Sequence, residues 1–352
     1  MPDWSKSMTQ SFEYYTVDPN TWKDIKKLNN VLSSTISRDI SADTLGSATF
    51  EVTDTLGECY IRVYLVTIQN GITEKFPLGT YIVQTPSSNF NGKYRKVSMD
   101  AYTPLLELKE NPPPLGYSLL EGTNILGSAY SIMREHMRGP VVKTESNDKL
   151  NFDFVSNTED TWLTFTKDLI SNAKYVLDMD EMGRTLFAPK QDTASLQPVA
   201  TFTDDNSSIL YSDVSMEHDL YGIPNVIEVV YSKGRDIYFA KAVNDDHNSP
   251  LSIQNRGREI LHRVIDPELG GEPTQMQVTE YANQLLRDLS SVEYTVSYTH
   301  AYCPVRIGDC VRLNYNRAGL RNVKARVISQ SIKCVPGCPV SEKAVFTNKL
   351  WG

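Results

Sequence analysis

The stretch from Tyr294 to Lys333 constrains the fold more than any other part of the chain. It begins with strict alternation, in which a bulky residue occupies every second position from Tyr294 to Tyr298. A period of two predicts a β-strand with one buried face. Two more β-rich runs follow, separated by a break at Gly308 and a polar loop at Gly319. Three consecutive antiparallel strands bent at a glycine predict part of a small β-barrel.

A similar pattern occurs near the other end of the chain. The run from Phe76 to Val83 has Gly79 after an aliphatic residue and before a β-rich segment, as Gly308 does in the later stretch. This similarity predicts two related barrels in one chain. Glycine-containing strands are common in β proteins, and unrelated strands explain the similarity equally well.

Changes in residue pattern divide the chain into four parts. The first β-rich part ends at the proline run after Asn111, where a stiff extended linker is expected. The sequence predicts a mainly β fold with α+β insertions, in which two similar small antiparallel β-barrels accompany a small α+β domain. The predicted parts are 1–111 (first barrel domain), 112–195 (α+β domain), 196–240 with 291–352 (second barrel domain) and 241–290 (a loop-and-helix insertion).

Three helices are expected between the β-rich parts. Thr123 is the predicted N-cap of the first helix, and Asn157 or Thr158 is the predicted N-cap of the second. The third helix is predicted from Thr274 to Leu289, because apolar residues recur there on one helical face.

An acidic group that begins at Asp178 invites comparison with a calcium-binding loop. Gly183 is the sixth residue from Asp178, as an EF-hand loop requires. Pro189 stands at the twelfth position, where that loop needs a glutamate, and no helix is predicted after it. A charged hairpin tip is therefore the favoured interpretation.

The charge balance argues against a surface that grips nucleic acid. The 352 residues carry a net charge of −8, whereas such a surface needs a basic face. An acidic chain can still line a conduit through which nucleic acid slides without specific binding. No apolar run approaches the ~18 residues of a membrane span. The first ten residues also lack the apolar core of a signal peptide. The sequence therefore predicts synthesis in a cytoplasm, without membrane insertion.

Four of the five cysteines lie in the last fifty residues, and Cys59 stands alone. Their spacings do not match a zinc ribbon or a zinc knuckle. Packed free thiols are the favoured interpretation, and a metal or disulfide site is the alternative. The residues of that alternative metal site are Cys303, Cys310, Cys334 and Cys338.

The sequence contains no motif that marks a catalytic or cofactor-binding site. Glycine-rich phosphate loops, Gly-x-Ser-x-Gly and His-Glu-x-x-His are missing, and the five histidines lack metal-ligand spacing. His218, between Glu217 and Asp219, is the position most like an acid-base residue, although a surface triplet is the favoured interpretation. Carboxylates that face each other across a cleft cannot be paired from sequence, so glycosidase chemistry stays open. A structural protein without cofactors or catalytic residues is expected.

Three short segments together resemble a known family. They are Gly46–Val52 (GSATFEV), Phe76–Tyr81 (FPLGTY) and Val305–Val311 (VRIGDCV). The pattern resembles the tail hub proteins of bacteriophage baseplates, the group similar to the T4 baseplate hub and the Mu-like tail hub. The resemblance spans most of the chain. It implies that two similar barrels per subunit alternate around a threefold axis, so that three subunits present a pseudo-sixfold ring.

The resemblance implies a homotrimeric adaptor in the tail baseplate of a virion, assembled in the host cytoplasm. The ring would join the sixfold tail tube protein to the threefold central spike protein, next to other baseplate proteins, and its lumen would let DNA pass without specific binding. Some relatives carry an extra lysozyme or spike module, and nothing in this sequence matches one. The alternatives are a tail-associated peptidoglycan-degrading enzyme and the hub of a phage-like contractile injection system. The host, the identity of the partners and tail contraction are not encoded in any motif.

Overall fold

The structure is a computed structural model that describes residues 2–90, 95–191, 193–205, 208–218, 220–233, 236–267 and 274–349. Within these residues strands dominate, and five α-helices lie between them. This confirms a mainly β protein with helical insertions. The chain divides into two compact units, of which the first comprises Met1–Val214 with Ser297–Ala344 and the second Ser215–Val296 with Val345–Gly352. The four-part division drawn from sequence stays a prediction.

The first seven strands form one continuous antiparallel sheet in the first unit. Their order across the sheet is β3-β4-β7-β6-β5-β1-β2. The two longest meet in a hairpin at the Asn70-Gly71 turn, where both residues have positive φ. The strands are β1 (Thr9–Val17), β2 (Asp24–Leu28), β3 (Val31–Asp39), β4 (Gly46–Val52), β5 (Tyr60–Gln69), β6 (Ile72–Phe90) and β7 (Arg95–Tyr102).

The side-chain pattern of these strands decides where the core lies. In β4, Ala48, Phe50 and Val52 are buried, while the residues between them are half-buried. Strand β5 is buried on both faces from Tyr60 to Leu65, which is why its sequence shows no alternation. Each fully buried aliphatic or aromatic side chain of this kind contributes roughly 1.5–3 kcal/mol.

Three helices and two short ribbons form a second hydrophobic core in the same unit. Helix α2 is capped by Asn124, and α3 by Thr161 in a reciprocal capping box with Thr164. The predicted caps, Thr123 and Asn157 or Thr158, are therefore wrong. For the second helix the reason is local, because residues 157–160 form a hydrogen-bonded turn before the helix begins. The elements are α1 (Leu106–Lys109), β8 (Ser118–Leu119), α2 (Ile125–His136), β9 (Phe154–Val155), α3 (Trp162–Ser171), β10 (Tyr175–Met179) and β11 (Thr185–Pro189).

Strands from the C-terminal part of the chain extend the first sheet instead of closing a second one. Strand β19 pairs with β18 through its first half and with β3 through its last residues, where Ile332 lies opposite Ile36. The strand path is open across all described residues, so the expected pair of closed barrels is not observed. The strands are β12 (Pro198–Thr203), β13 (Leu210–His218), β17 (Ser291–Ala301), β18 (Cys310–Tyr315), β19 (Leu320–Lys333) and β20 (Pro339–Lys349).

The two glycines that suggested a repeat have different roles. Gly79 lies inside β6, paired with Val63 next to a bulge. Gly308 lies in a turn before β18 with φ of +88°, a conformation that favours glycine. The resemblance between the two segments therefore does not extend to their backbone conformation.

The second unit contains a three-stranded sheet with a helix packed on one face. Strand β14 (Val226–Lys233) lies between β15 (Asp236–Val243) and β16 (Leu261–Ile265). Helix α5 (Gln275–Leu289) packs on the sheet and matches the predicted range, with Thr274 as its N-cap. A single turn of helix, α4 (Ile253–Arg256), precedes β16. None of the helices in the described part of the chain is long and apolar enough to cross a membrane.

Candidate functional site

The hairpin of β10 and β11 ends in a turn whose shape is fixed by Asp180. The Asp180 carboxylate accepts the backbone N–H groups of Met182 and Arg184 at 3.0 and 2.8 Å, and it pairs with the Arg184 guanidinium at 2.6 Å. Gly183 has φ of +75°, and a Cβ at this position would lie 2.8 Å from the Cβ of Thr80. The structure confirms a hairpin tip at this acidic group, and shows that the tip is packed against the large sheet.

A buried arginine holds the hairpin tip against the sheet. Arg62 is 1% exposed and donates to the Asp24 carboxylate at 2.7 Å and to the Thr80 hydroxyl at 2.9 Å. Its Nη2 also donates to the carbonyl of Met182 in the tip, at 3.2 Å. The indole N–H of Trp22 donates to the same carbonyl at 2.6 Å. The carbonyl oxygen of Met182 therefore accepts one hydrogen bond from β5 and one from the connection between β1 and β2.

The acidic side of the tip is held by two further arginines. Glu181 lies 3.3 Å from Arg38 on β3 and 2.9 Å from Arg306, which precedes β18. Arg306 also contacts the Asp178 carboxylate at 3.3 Å and donates to the carbonyl of Met179 at 2.7 Å. Charge-assisted bonds of this kind are stronger than neutral ones. They join the hairpin to both the N-terminal and the C-terminal strands of the first unit.

The polar network continues from Arg38 into the interior of the sheet. Arg38 donates to the carbonyl of Leu78 at 2.6 Å and to the side-chain oxygen of Gln330 at 3.2 Å. Gln330 is 2% exposed and donates through Nε2 to the carbonyl of Val305 and to the carboxylate of Glu342. Every one of these polar groups has a partner, as buried polar groups require.

The network ends in a buried ion pair. Glu342 accepts the hydroxyl of Tyr298 at 2.6 Å, and its Oε1 lies 3.2 Å from Nε2 of His300 at an angle outside hydrogen-bond geometry. Nδ1 of His300 lies 2.7 Å from the carbonyl oxygen of Ala301. Nδ1 thus faces a carbonyl acceptor, while Nε2 lies at ion-pair distance from Glu342 without a hydrogen bond. A carboxylate at this distance favours the imidazolium. The His300 and Glu342 side chains are both 0% exposed.

The surroundings of His300 keep its charge at neutral pH. Burial works against the imidazolium, but the contacts with the Cys303 thiol and the Glu342 carboxylate outweigh burial and raise the pKa of His300 to about 10. Burial, followed by the nearby Glu342 charge, raises the pKa of Tyr298 well above its ordinary value. The hydroxyl of Tyr298 is therefore a donor to Glu342 at neutral pH.

The five cysteines are free thiols, and four of them are buried. Cys334 and Cys338 belong to the core of the large sheet, and burial raises the pKa of Cys334 to about 12. Cys303 lies 3.8 Å from Nδ1 of His300, and Cys310 is buried on β18. In the described part of the chain, no three His, Cys, Asp or Glu side chains are placed to hold a metal ion.

The remaining histidines lie apart from this network. His218 stacks on Tyr294 with 4.9 Å between ring centroids. Asp219, the next residue of the triplet considered above, lies outside the described residues. His136 stacks on Trp162 at 4.2 Å. A histidine that stacks on an aromatic ring in this way has a packing role.

Sequence reasoning did not find the residues that join the hairpin to the sheet. Arg62 had one signal, because it is the single charged residue in the apolar run that begins at Tyr60. Gln330 and Glu342 lie among polar neighbours on alternating strands and gave no signal. Their burial follows from strand pairing between distant parts of the chain.

Comparison with known proteins shows a likeness in fold. No protein-family model and no curated protein matches the sequence. A tail protein from Neisseria meningitidis MC58 superposes with a TM-score of 0.61 at 14% identity, covering 97% of this chain and 98% of that one. The 43 kDa tail protein of prophage MuSo2 from Shewanella oneidensis superposes with a TM-score of 0.62 at 9% identity, covering 95% and 97%. The resemblance to phage tail proteins is thus confirmed as a resemblance of fold over nearly the whole chain.

Proposed function

We propose that the chain is a non-enzymatic structural hub of a phage tail baseplate. The observation that carries this proposal is the full-length likeness to two tail proteins, since it includes the helical part and the second unit as well as the large sheet. Fold alone does not define function. The proposal therefore also rests on the polar network, whose charged members pair with one another and join distant strands of the sheet.

In the proposed assembly, three copies form a ring that joins a sixfold tail tube to a threefold central spike. Closed rings with rotational symmetry are the usual form of homo-oligomers. Support comes from the likeness in fold to two tail proteins, which extends over nearly the whole chain.

The proposed lumen would let the genome pass without binding it. The net charge of −8 supports this, because an acidic protein repels the phosphate backbone. In this proposal the protein is assembled in the host cytoplasm and then resides in the virion tail, with the tube, spike and other baseplate proteins as its partners.

Light scattering coupled to size-exclusion chromatography tests the oligomeric state. A trimer has three times the 39.7 kDa mass of the chain. Negative-stain images of the same fraction should show rings with a central opening. A monomer at every concentration up to the solubility limit would contradict the proposal.

A further inference from the structure

The first unit contains a pocket of about 460 Å³ between the β10–β11 hairpin and the turn before β18. Val176, Leu177, Leu196 and Ile307 supply much of its apolar lining. A pocket of this size and composition can enclose one or two side chains of a partner. Its wall also carries charged groups, and their pairing decides which ligand fits.

One cation in this wall has an unsatisfied buried donor. Arg326 lies on β19 opposite Cys310, and its Nε is buried without a hydrogen-bond acceptor in the described residues. Arg306 contacts the hairpin carboxylates, and Lys324 donates to the carbonyl of Leu196. Lys190, which also lines the pocket, is exposed to solvent. A buried donor on a charged group is costly to leave unsatisfied.

The carboxylates in the wall do not neutralise Arg326. Asp178 is bound by Arg306. Asp309 accepts the backbone N–H of Arg306 at 2.8 Å, and no ion pair joins it to Arg326 in the described part of the chain. The pocket thus combines an apolar lining with the buried, unsatisfied Nε of Arg326.

We propose that this pocket binds an acidic loop of a partner protein, in which a carboxylate adjoins aliphatic side chains. The carboxylate would accept from Arg326, and the aliphatic groups would fill the apolar part of the pocket. Charge complementarity favours this occupant, since a guanidinium matches a carboxylate in geometry. A nucleic-acid strand fits less well, because its phosphate backbone carries no aliphatic groups to fill the apolar lining. The inference concerns a single subunit and does not depend on the oligomeric state proposed above.

Isothermal titration calorimetry with capped pentapeptides tests the proposal on the full chain. The probe is acetyl-Ser-Leu-Asp-Leu-Ser-amide, whose caps remove the terminal charges. Its matched controls are the same peptide with Asn in place of Asp, and one with Ser in place of both leucines. We expect Kd on the order of 1 mM for the probe and binding at least ~10-fold weaker for each control, because each lacks one of the two interactions.

Two variants separate the pocket from the rest of the surface. Arg326→Met keeps the aliphatic stem and should abolish the preference for Asp over Asn, whereas Arg321→Met, at an exposed position of the same strand, should leave it unchanged. The affinities of the Asp and Asn peptides are both measured on the wild-type protein. The test therefore stands even if Arg326→Met fails to fold. Equal affinity for these two peptides would overturn the proposal. So would the absence of binding at a peptide concentration ten times the expected Kd, or tighter binding of a thymidine decanucleotide.

Discussion

The buried pair of His300 and Glu342 predicts a specific pH dependence of stability. The folded protein holds a proton on His300 up to a pKa of about 10, whereas an unfolded histidine has its ordinary pKa of 6.5. The stabilisation is therefore complete below pH 6.5 and is lost as the pH rises through about 10. When the folded protein binds one proton more than the unfolded chain, the free energy of unfolding falls by about 1.4 kcal/mol for each pH unit. From pH 7 to pH 9 the loss should be about 2.5 kcal/mol.

The variant Glu342→Gln isolates this contribution. It removes the anion but keeps the shape and the acceptor for Tyr298, so burial then favours the neutral imidazole. The free energy of unfolding should be lower than that of the wild type at pH 7, and the difference should shrink towards pH 9. Other groups that titrate in this range, such as unfolded thiols, affect both proteins and cancel in the difference.

Denaturant unfolding followed by tryptophan fluorescence at pH 7, 8 and 9 measures these free energies. Glu51→Gln is the matched control, because Glu51 pairs with Lys96 at 2.6 Å in a partly exposed site. Its effect should stay within about 1 kcal/mol and should not vary with pH. If the wild type and Glu342→Gln lose the same stability between pH 7 and 9, His300 is not protonated in the folded protein and the reasoning fails.

Two further predictions concern the contact between the hairpin tip and the sheet. Arg62→Met should destabilise the protein by roughly 1.5–3 kcal/mol, since it removes the buried hydrogen bonds of a charged group to Asp24, Thr80 and Met182, and a loss below 1 kcal/mol in denaturant unfolding would contradict the assigned role. Gly183→Ala should destabilise by about 1–3 kcal/mol more than Gly71→Ala. Both glycines have φ near +76°, but a Cβ meets a neighbouring side chain at 183 and open space at 71. Equal melting temperatures of the two variants would show that the tip is not packed.

The local pattern of residues determined much of the secondary structure. Alternation in Gly46–Val52 and in the stretch that begins at Tyr294 gave strands, because side chains on a strand point to opposite faces. The helix from Thr274 to Leu289 was also predicted, since its apolar residues recur on one face. The resemblance to tail hub proteins came from short segments of the same kind.

Tertiary structure alone decided which strands became neighbours. The pairing of β19 with β3 joins residues almost three hundred positions apart. It places the strands of the two predicted barrels in one open sheet. The same pairing buried Gln330 beside Arg38 and completed the network from His300 to the hairpin. Sequence records the polarity of each residue within its own strand, whereas burial and partnership depend on the strand placed beside it. For this reason the fold class could be predicted from the sequence, and the buried polar network and the unsatisfied Nε of Arg326 could not.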